Sequence, residues 1–154
     1  MGGLLNVILI MTQEDKELLL RDLSARLPYG VICYDEVQKE AGIFKQFEYE
    51  GFGRIHNGRG LRFVENIKPY LRPMSSMTRE EKSEFINYAG YEVEESVNGR
   101  HYEYYLKDFV GTEEEPIANV DAIDWLNRNH FDYRGLIEKG LAIAVTEENN
   151  PYKE

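Results

Sequence analysis

Basic side chains recur from Phe52 to Arg72, and aromatic rings lie between them. The stretch holds five bases against one acid, so its net charge is 5 − 1 = +4. Bases in such a pattern bind the phosphates of nucleic acids, while an aromatic ring stacks on an unpaired base. One interpretation is therefore a nucleic-acid-binding face. Its candidate residues are Arg54, Arg59, Arg62, Lys68 and Arg72.

The charge of the whole chain favours a different interpretation of these bases. The net charge is −10, which repels nucleic acid from most of the surface. The bases of the stretch then offset the acidic second half of the chain, or they form a solvated face of a sheet. We favour this interpretation and keep nucleic-acid binding as the alternative.

An acidic ribbon is the second candidate surface. From Met77 to Ala118 four bases face eleven acids, a net charge of 4 − 11 = −7. The letters YEVEESVNGRHYEYYL alternate tyrosine and glutamate around an Asn-Gly pair, which predicts a β-hairpin with one apolar and one acidic face. Tyrosine is enriched at protein interfaces, although for any single ring packing on the protein's own helices is the simpler interpretation. The candidate partner-binding residues are Glu92, Glu94, Tyr102, Tyr104 and Tyr105.

Residues that carry catalysis or bind metals are sparse. His56, His101 and His130 fall in three separate elements, whereas a zinc site uses ligand pairs at short spacing. The single cysteine, Cys33, lies in an alternating apolar stretch and is interpreted as a buried side chain. The sequence therefore predicts no catalytic constellation, no metal site and no cofactor.

A helix at the start of the chain is the clearest element. In MTQEDKELLLRDLSARLPYG, Thr12 is placed to cap the first turn and four leucines form an apolar stripe. Asp22 and Arg26 have the four-residue spacing of a helical ion pair, and Pro28 ends the helix. The apolar letters before it, residues 1–10, predict a leader or an extra edge strand, with Met11 as an alternative start.

Short strands follow this helix. Their apolar and aromatic letters alternate between glycines, and Asn57-Gly58 is a strong hairpin signal. The strands are expected near 31–36, 41–49, 52–56 and 60–65. Pro69 and Pro73 are then expected to take the chain out of the sheet, because proline donates no ladder hydrogen bond.

The second half predicts helices around the acidic hairpin. Thr78 and Glu81 form a capping box that begins a helix. Asp121 is expected to cap a short helix that buries Trp125, and Asp132 a last helix that ends at a glycine. In the stretch between the sheet and these helices, Arg72, Met74, Ser75 and Ser76 have no evident structural duty.

These elements predict an α+β fold. It comprises an N-terminal helix, a bent antiparallel, small-barrel-like (Sm-like) sheet, a second β-hairpin and two short C-terminal helices. Segments 11–76 and 77–154 are expected to share one core as one domain. With one cysteine, no secretory leader and no apolar run of about 20 residues, the expected compartment is the cytosol and no membrane is involved.

Three phrases resemble a known group of proteins. LPYGV, IKPYLRPMSSMT and DWLNRNHFDYRGLIEKGLAI are similar to an uncharacterised family of small proteins encoded by bacteriophages and mobile elements of gut anaerobic bacteria. The resemblance implies an origin but no activity, ligand or catalytic residue. We therefore expect a non-enzymatic phage or mobile-element accessory protein that binds a host or phage protein in the bacterial cytosol.

Overall fold

The computed structural model describes residues 11–48, 52–55, 60, 62–89 and 120–153. They group into two compact units, the first within 1–71 and 134–154 and the second within 72–133. The second unit is thus inserted into the chain of the first. Each unit has a hydrophobic cluster of its own, and the expectation that segments 11–76 and 77–154 share one core stays a prediction.

The first unit begins with helix α1, Gln13–Arg26, as the sequence predicts. Thr12 caps it, because its Oγ1 accepts a hydrogen bond from the Asp15 N–H at 3.1 Å. Leu19 and Leu23 of the leucine stripe are fully buried. The helix passes into a 3-10 turn and ends at Gly30, whose φ of +69° suits glycine.

Four antiparallel strands follow in chain order, and each pairs with the next. They are β1 (Ile32–Asp35), β2 (Glu40–Phe47), β3 (Phe52–Ile55) and β4 (Arg62–Phe63). The register of β2 against β3 shifts between Phe44 and Gln46, where a bulge bends the sheet. A Cβ on Gly53 would lie 2.6 Å from the ring of Phe44, so the close approach of the two strands requires glycine there.

The prediction that the prolines take the chain out of the sheet is wrong. After a 3-10 turn, Val64–Asn66, the chain forms strand β5, Ile67–Pro73, antiparallel to β1. Pro69 lies opposite Cys33. Pairs in an antiparallel ladder alternate between hydrogen-bonded and non-hydrogen-bonded, and proline in a non-hydrogen-bonded pair sacrifices no bond to that neighbour.

The sheet is mixed and does not close into a barrel, which corrects the predicted antiparallel barrel. In the first unit the path runs β4-β3-β2-β1-β5, and strand β7, Ile143–Ala144, pairs with β5 in parallel. In the second unit the end of β5 pairs in parallel with β6, Phe131–Asp132. Within the described ranges β4 pairs with β3 alone.

Among the described residues, the two clusters hold most of the buried apolar side chains. In the first unit they come from α1, from the strands with their connections, and from the returning chain, the part that re-enters this unit at residue 134. They are Leu19, Leu23, Val31, Cys33, Phe44, Ile55, Val64, Ile67, Leu71, Leu136, Leu141 and Ala142. In the second unit they are Met77, Phe85, Ile86, Ala122, Trp125, Leu126 and Phe131.

The described part of the second unit holds two α-helices. Helix α2, Arg79–Ala89, follows the predicted capping box, and helix α3, Val120–Arg128, buries Trp125. Asp121 lies within the first turn of α3, one residue after its start, and is therefore not its cap.

The helix predicted after Asp132 does not form. Gly135 and Gly140 both have φ near +76°, at +77° and +76°, so only a single turn fits between them. The predicted Schellman ending is nevertheless present. The Leu141 N–H donates to the Leu136 carbonyl at 2.9 Å and the Gly140 N–H to the Ile137 carbonyl at 3.0 Å.

Candidate functional site

The described bases of the stretch 52–72 all hold carboxylates. Arg54 of β3 pairs with Glu48 across the exposed face of the sheet. Lys68 of β5 pairs with Glu36 at 3.1 Å, with both side chains partly exposed. Arg59 lies outside the described residues. The bases that the sequence presented as one positive face are thus individually compensated, Arg62 and Arg72 included.

Arg62 does not lie on an exposed face. Its side chain is 1% exposed, its Nη1 donates to Asp35 Oδ2 at 3.0 Å and its Nη2 donates to Glu40 Oε2 at 2.6 Å. Burial lowers the pKa of the guanidinium, but the hydrogen bonds and charges of Glu40 and Asp35 outweigh this effect and raise it above the usual value. Arg62 therefore remains charged and bound to protein carboxylates.

Asp35 connects this buried pair to a surface turn. Its Oδ1 accepts hydrogen bonds from the Val37 N–H at 2.8 Å and the Gln38 N–H at 2.9 Å, while its Oδ2 faces Arg62. Lys39 in the same turn has a φ of +56°, uncommon for a residue with a side chain. The ion pair thus fixes the connection between β1 and β2.

Arg72 belongs to the second unit and has a structural duty that the sequence did not reveal. Both of its terminal nitrogens donate to the carboxylate of Glu81, and its Cζ lies 4.1 Å from the ring centroid of Phe131. Phe131 is itself stacked on Trp125 at 5.7 Å. Arg72 therefore joins the end of β5 to the start of α2 and to the aromatic cluster.

Glu81 takes part in two arrangements at once. Its Oε1 accepts a hydrogen bond from the Thr78 N–H at 2.9 Å, and its own N–H donates to Thr78 Oγ1 at 3.1 Å, which confirms the predicted capping box. Burial raises the pKa of the carboxyl, but the bonds from Arg72 and Thr78 outweigh burial and lower it. Ser76 closes the preceding turn by donating to the Pro73 carbonyl at 2.7 Å.

The candidate partner-binding residues lie outside the described residues. This holds for Glu92, Glu94, Tyr102, Tyr104 and Tyr105 and for the Asn98-Gly99 turn. Exposed apolar side chains are found instead on the sheet of the first unit. Phe63 is 54% exposed and Ile43 is 40% exposed, and both point away from the core side marked by Phe44.

Among the described residues, no group of three or more His, Cys, Asp or Glu side chains is arranged to hold a metal ion. Cys33 is buried, and burial, followed by the charge of Asp22, raises the pKa of its thiol, so the reactive thiolate is disfavoured. His56 and His101 lie outside the described ranges, and His130 sits in the turn between α3 and β6.

Comparisons with known proteins add no relative. Protein-family models, curated proteins and solved structures were compared with the chain, and none matched. In the part of the chain that the structure describes, no helix has the length and apolar character needed to cross a membrane.

Proposed function

We propose that this chain is a non-enzymatic accessory protein of a bacteriophage or mobile element that binds a protein partner in the bacterial cytosol. The observation that favours a protein partner over nucleic acid is the compensation of the basic stretch. Arg54, Arg62, Lys68 and Arg72 each hold a carboxylate, so a phosphate would have to displace an existing ion pair. The origin rests on the three phrases that resemble the phage family.

Two surfaces are proposed to meet the partner. The first is the acidic hairpin with Glu92, Glu94, Tyr102, Tyr104 and Tyr105. The second is the outer sheet face of the first unit, where exposed Phe63 and Ile43 accompany the Arg54–Glu48 pair. Protein interfaces typically combine an apolar centre that contains aromatic side chains with a polar rim. This sheet face has both kinds of side chain.

We also propose that the first unit is an open relative of the Sm-like small barrel. The chain order supports this proposal: a helix, four antiparallel strands, a 3-10 turn and a fifth strand returning to β1. The bulge in β2 supplies the bend that such a sheet needs. The scaffold alone specifies no ligand.

Nucleic-acid binding is tested with labelled single-stranded and duplex oligonucleotides by fluorescence anisotropy. At about 50 mM salt we expect no affinity tighter than the weak non-specific range, about 10⁻⁴ M. The double variant Arg54→Ala, Lys68→Ala is the comparison, because both bases are partly exposed and their removal leaves the core intact. Tighter, salt-sensitive binding that this variant loses would establish the nucleic-acid alternative.

Protein binding is tested by affinity capture from host lysate followed by calorimetry with the purified captured protein. We expect the triple charge reversal Glu92→Lys, Glu94→Lys, Glu103→Lys to weaken the captured complex at least about tenfold, since reversed charges repel a complementary partner. The matched control is Glu17→Lys, Glu80→Lys, Glu138→Lys, three exposed acids outside the hairpin and the outer sheet face. Equal capture by all three proteins would count against the hairpin as the binding surface.

A further inference from the structure

Tyr152 places its hydroxyl between β1 and β5 at the point where the pairing of these two strands ends. Its Oη accepts a hydrogen bond from the Ile32 N–H at 3.0 Å and donates to the Tyr70 carbonyl at 2.7 Å. The pairing ends with Cys33 opposite Pro69. A side chain from a distant part of the sequence thus joins the main chains of two strands.

The register shows what this hydroxyl replaces. Pro69 has no N–H, so its pair with Cys33 suits a non-hydrogen-bonded position, and the next pair, Ile32 with Tyr70, falls on a hydrogen-bonded position. On the other side of β1, Val31 directs its carbonyl to β2, where it accepts from the Phe44 N–H at 2.8 Å. Consecutive residues of a strand direct their main-chain groups alternately to the two neighbouring strands, so the main-chain groups of Ile32 point towards β5. The Tyr152 hydroxyl therefore occupies the place of a direct rung between Ile32 and Tyr70.

The segment that carries Tyr152 is held locally. Before it, the Val145 N–H donates to the Leu71 carbonyl at 2.8 Å, which fixes the end of β7 on β5. Beyond it, Thr146 and Asn149 bond each other in both directions through their main chains, and the Lys153 N–H donates to the Asn150 carbonyl. Residues 146–149 are exposed.

We propose that residues 146–153 form a releasable strap and that the Tyr152 hydroxyl is its latch on β1 and β5. In the closed state the hydroxyl serves as one rung of the ladder. In the open state the Ile32 N–H and the Tyr70 carbonyl, which face each other across β1 and β5, lose the hydroxyl that joins them. Release begins after Val145, because that residue keeps its own bond to β5.

The surroundings of the phenol keep the latch in its donating form. Burial is the main effect that raises the pKa of Tyr152, with the Ile32 N–H and the charge of Arg26 acting in the opposite direction. Cys33 and Asp22 also face the group and raise the pKa further. The hydroxyl is therefore protonated at neutral pH and able to donate to Tyr70.

Native-state hydrogen exchange of the full chain, read by NMR at increasing urea below the unfolding transition, tests the strap. A releasable strap predicts that the Ile32 amide exchanges through a local opening whose free energy hardly depends on urea. The Val145 amide is the internal control and is expected to follow global unfolding. If Ile32 follows the urea dependence of Val145, the strap does not open separately and the proposal fails.

The variant Tyr152→Phe supplies a second measurement. We expect Ile32 to exchange about 10- to 100-fold faster, the range for a buried main-chain group that loses its partner, with Val145 unchanged. Tyr34→Phe is the matched control, since no hydrogen bond of that hydroxyl is found within the described residues. An Ile32 rate within about twofold of wild type in Tyr152→Phe would overturn the latch. Should this variant not fold, the urea series on the wild-type chain decides alone.

Discussion

The substitution Arg62→Met is expected to lower the free energy of unfolding of the first unit by about 3–5 kcal/mol. Methionine fills the space of the aliphatic stem but removes the charge that faces Asp35, which is 2% exposed. Removing one member of a buried ion pair is strongly destabilising because the other member, here the ionised carboxylate, stays buried without a partner. Urea denaturation followed by far-UV circular dichroism measures the loss. Circular dichroism is used rather than tryptophan fluorescence because the chain's one tryptophan, Trp125, lies in the second unit.

Two further variants distinguish the effect of removing a buried charge from the effect of removing any arginine. Arg54→Met makes the same change at a side chain that is 45% exposed, and the loss of its surface pair with Glu48 is expected to cost about 0–1 kcal/mol. Asp35→Asn in the Arg62→Met background is expected to recover part of the stability. Asparagine keeps an oxygen for the Val37 and Gln38 amides while carrying no charge. Equal losses for Arg62→Met and Arg54→Met would contradict the assignment.

The burial of Asp35, the partner of Arg62, could have been anticipated from the alternation of its strand. Cys33 and Asp35 are two residues apart in β1, so an inward Cys33 implies an inward Asp35. Alternation gave no such indication for Arg62, because Phe63 on the opposite face is apolar and Val64 belongs to a 3-10 turn. A carboxylate predicted on the core nevertheless requires a base beside it, which is a stronger signal than a run of bases. Counting charge along the chain hid this signal, because net charge does not say which way a side chain points.

Other features follow from local chemistry and were predictable for that reason. The cap of α1 at Thr12 and the capping box of Thr78 and Glu81 each depend on residues three positions apart, so both can be recognised in the sequence alone. The Schellman ending at Gly140 is local in the same sense. The helix predicted before this ending does not form because Gly135 also adopts a left-handed conformation. The sequence allowed this conformation but did not require it.

Features that depend on distant partners were not predictable. Strand β5 is recognisable only once β1 is known to lie beside it with Pro69 at a position that needs no N–H. Arg72 finds Phe131 across the chain, and Tyr152 finds Ile32 at a separation of 120 residues. Such contacts depend on how elements meet, and a single sequence carries no pairwise signal for them.

The substitution Asp22→Asn is expected to have the second large effect, again about 3–5 kcal/mol of unfolding free energy in the first unit. Asp22 is fully buried in α1, where its Oδ2 accepts from Arg26 Nε at 2.8 Å and its Oδ1 from Arg134 Nη1 at 2.9 Å. The sequence predicted the four-residue pair with Arg26. It did not predict that the pair would be buried, or that Arg134, where the chain re-enters the first unit, would join it.

Asparagine at position 22 has nearly the shape of aspartate, so a loss of stability reports on charge and hydrogen bonding rather than on a cavity. Glu17→Gln is the matched acid-to-amide change on the exposed side of the same helix and is expected to alter stability by less than about 0.5 kcal/mol. Because salt screens buried charges weakly, the loss from Asp22→Asn is expected to persist from about 0.1 M to about 1 M NaCl. Urea titrations of the three proteins at both salt concentrations measure this. A loss that disappears at high salt would mean that the Asp22 cluster is reached by solvent ions and does not fasten the returning chain to α1.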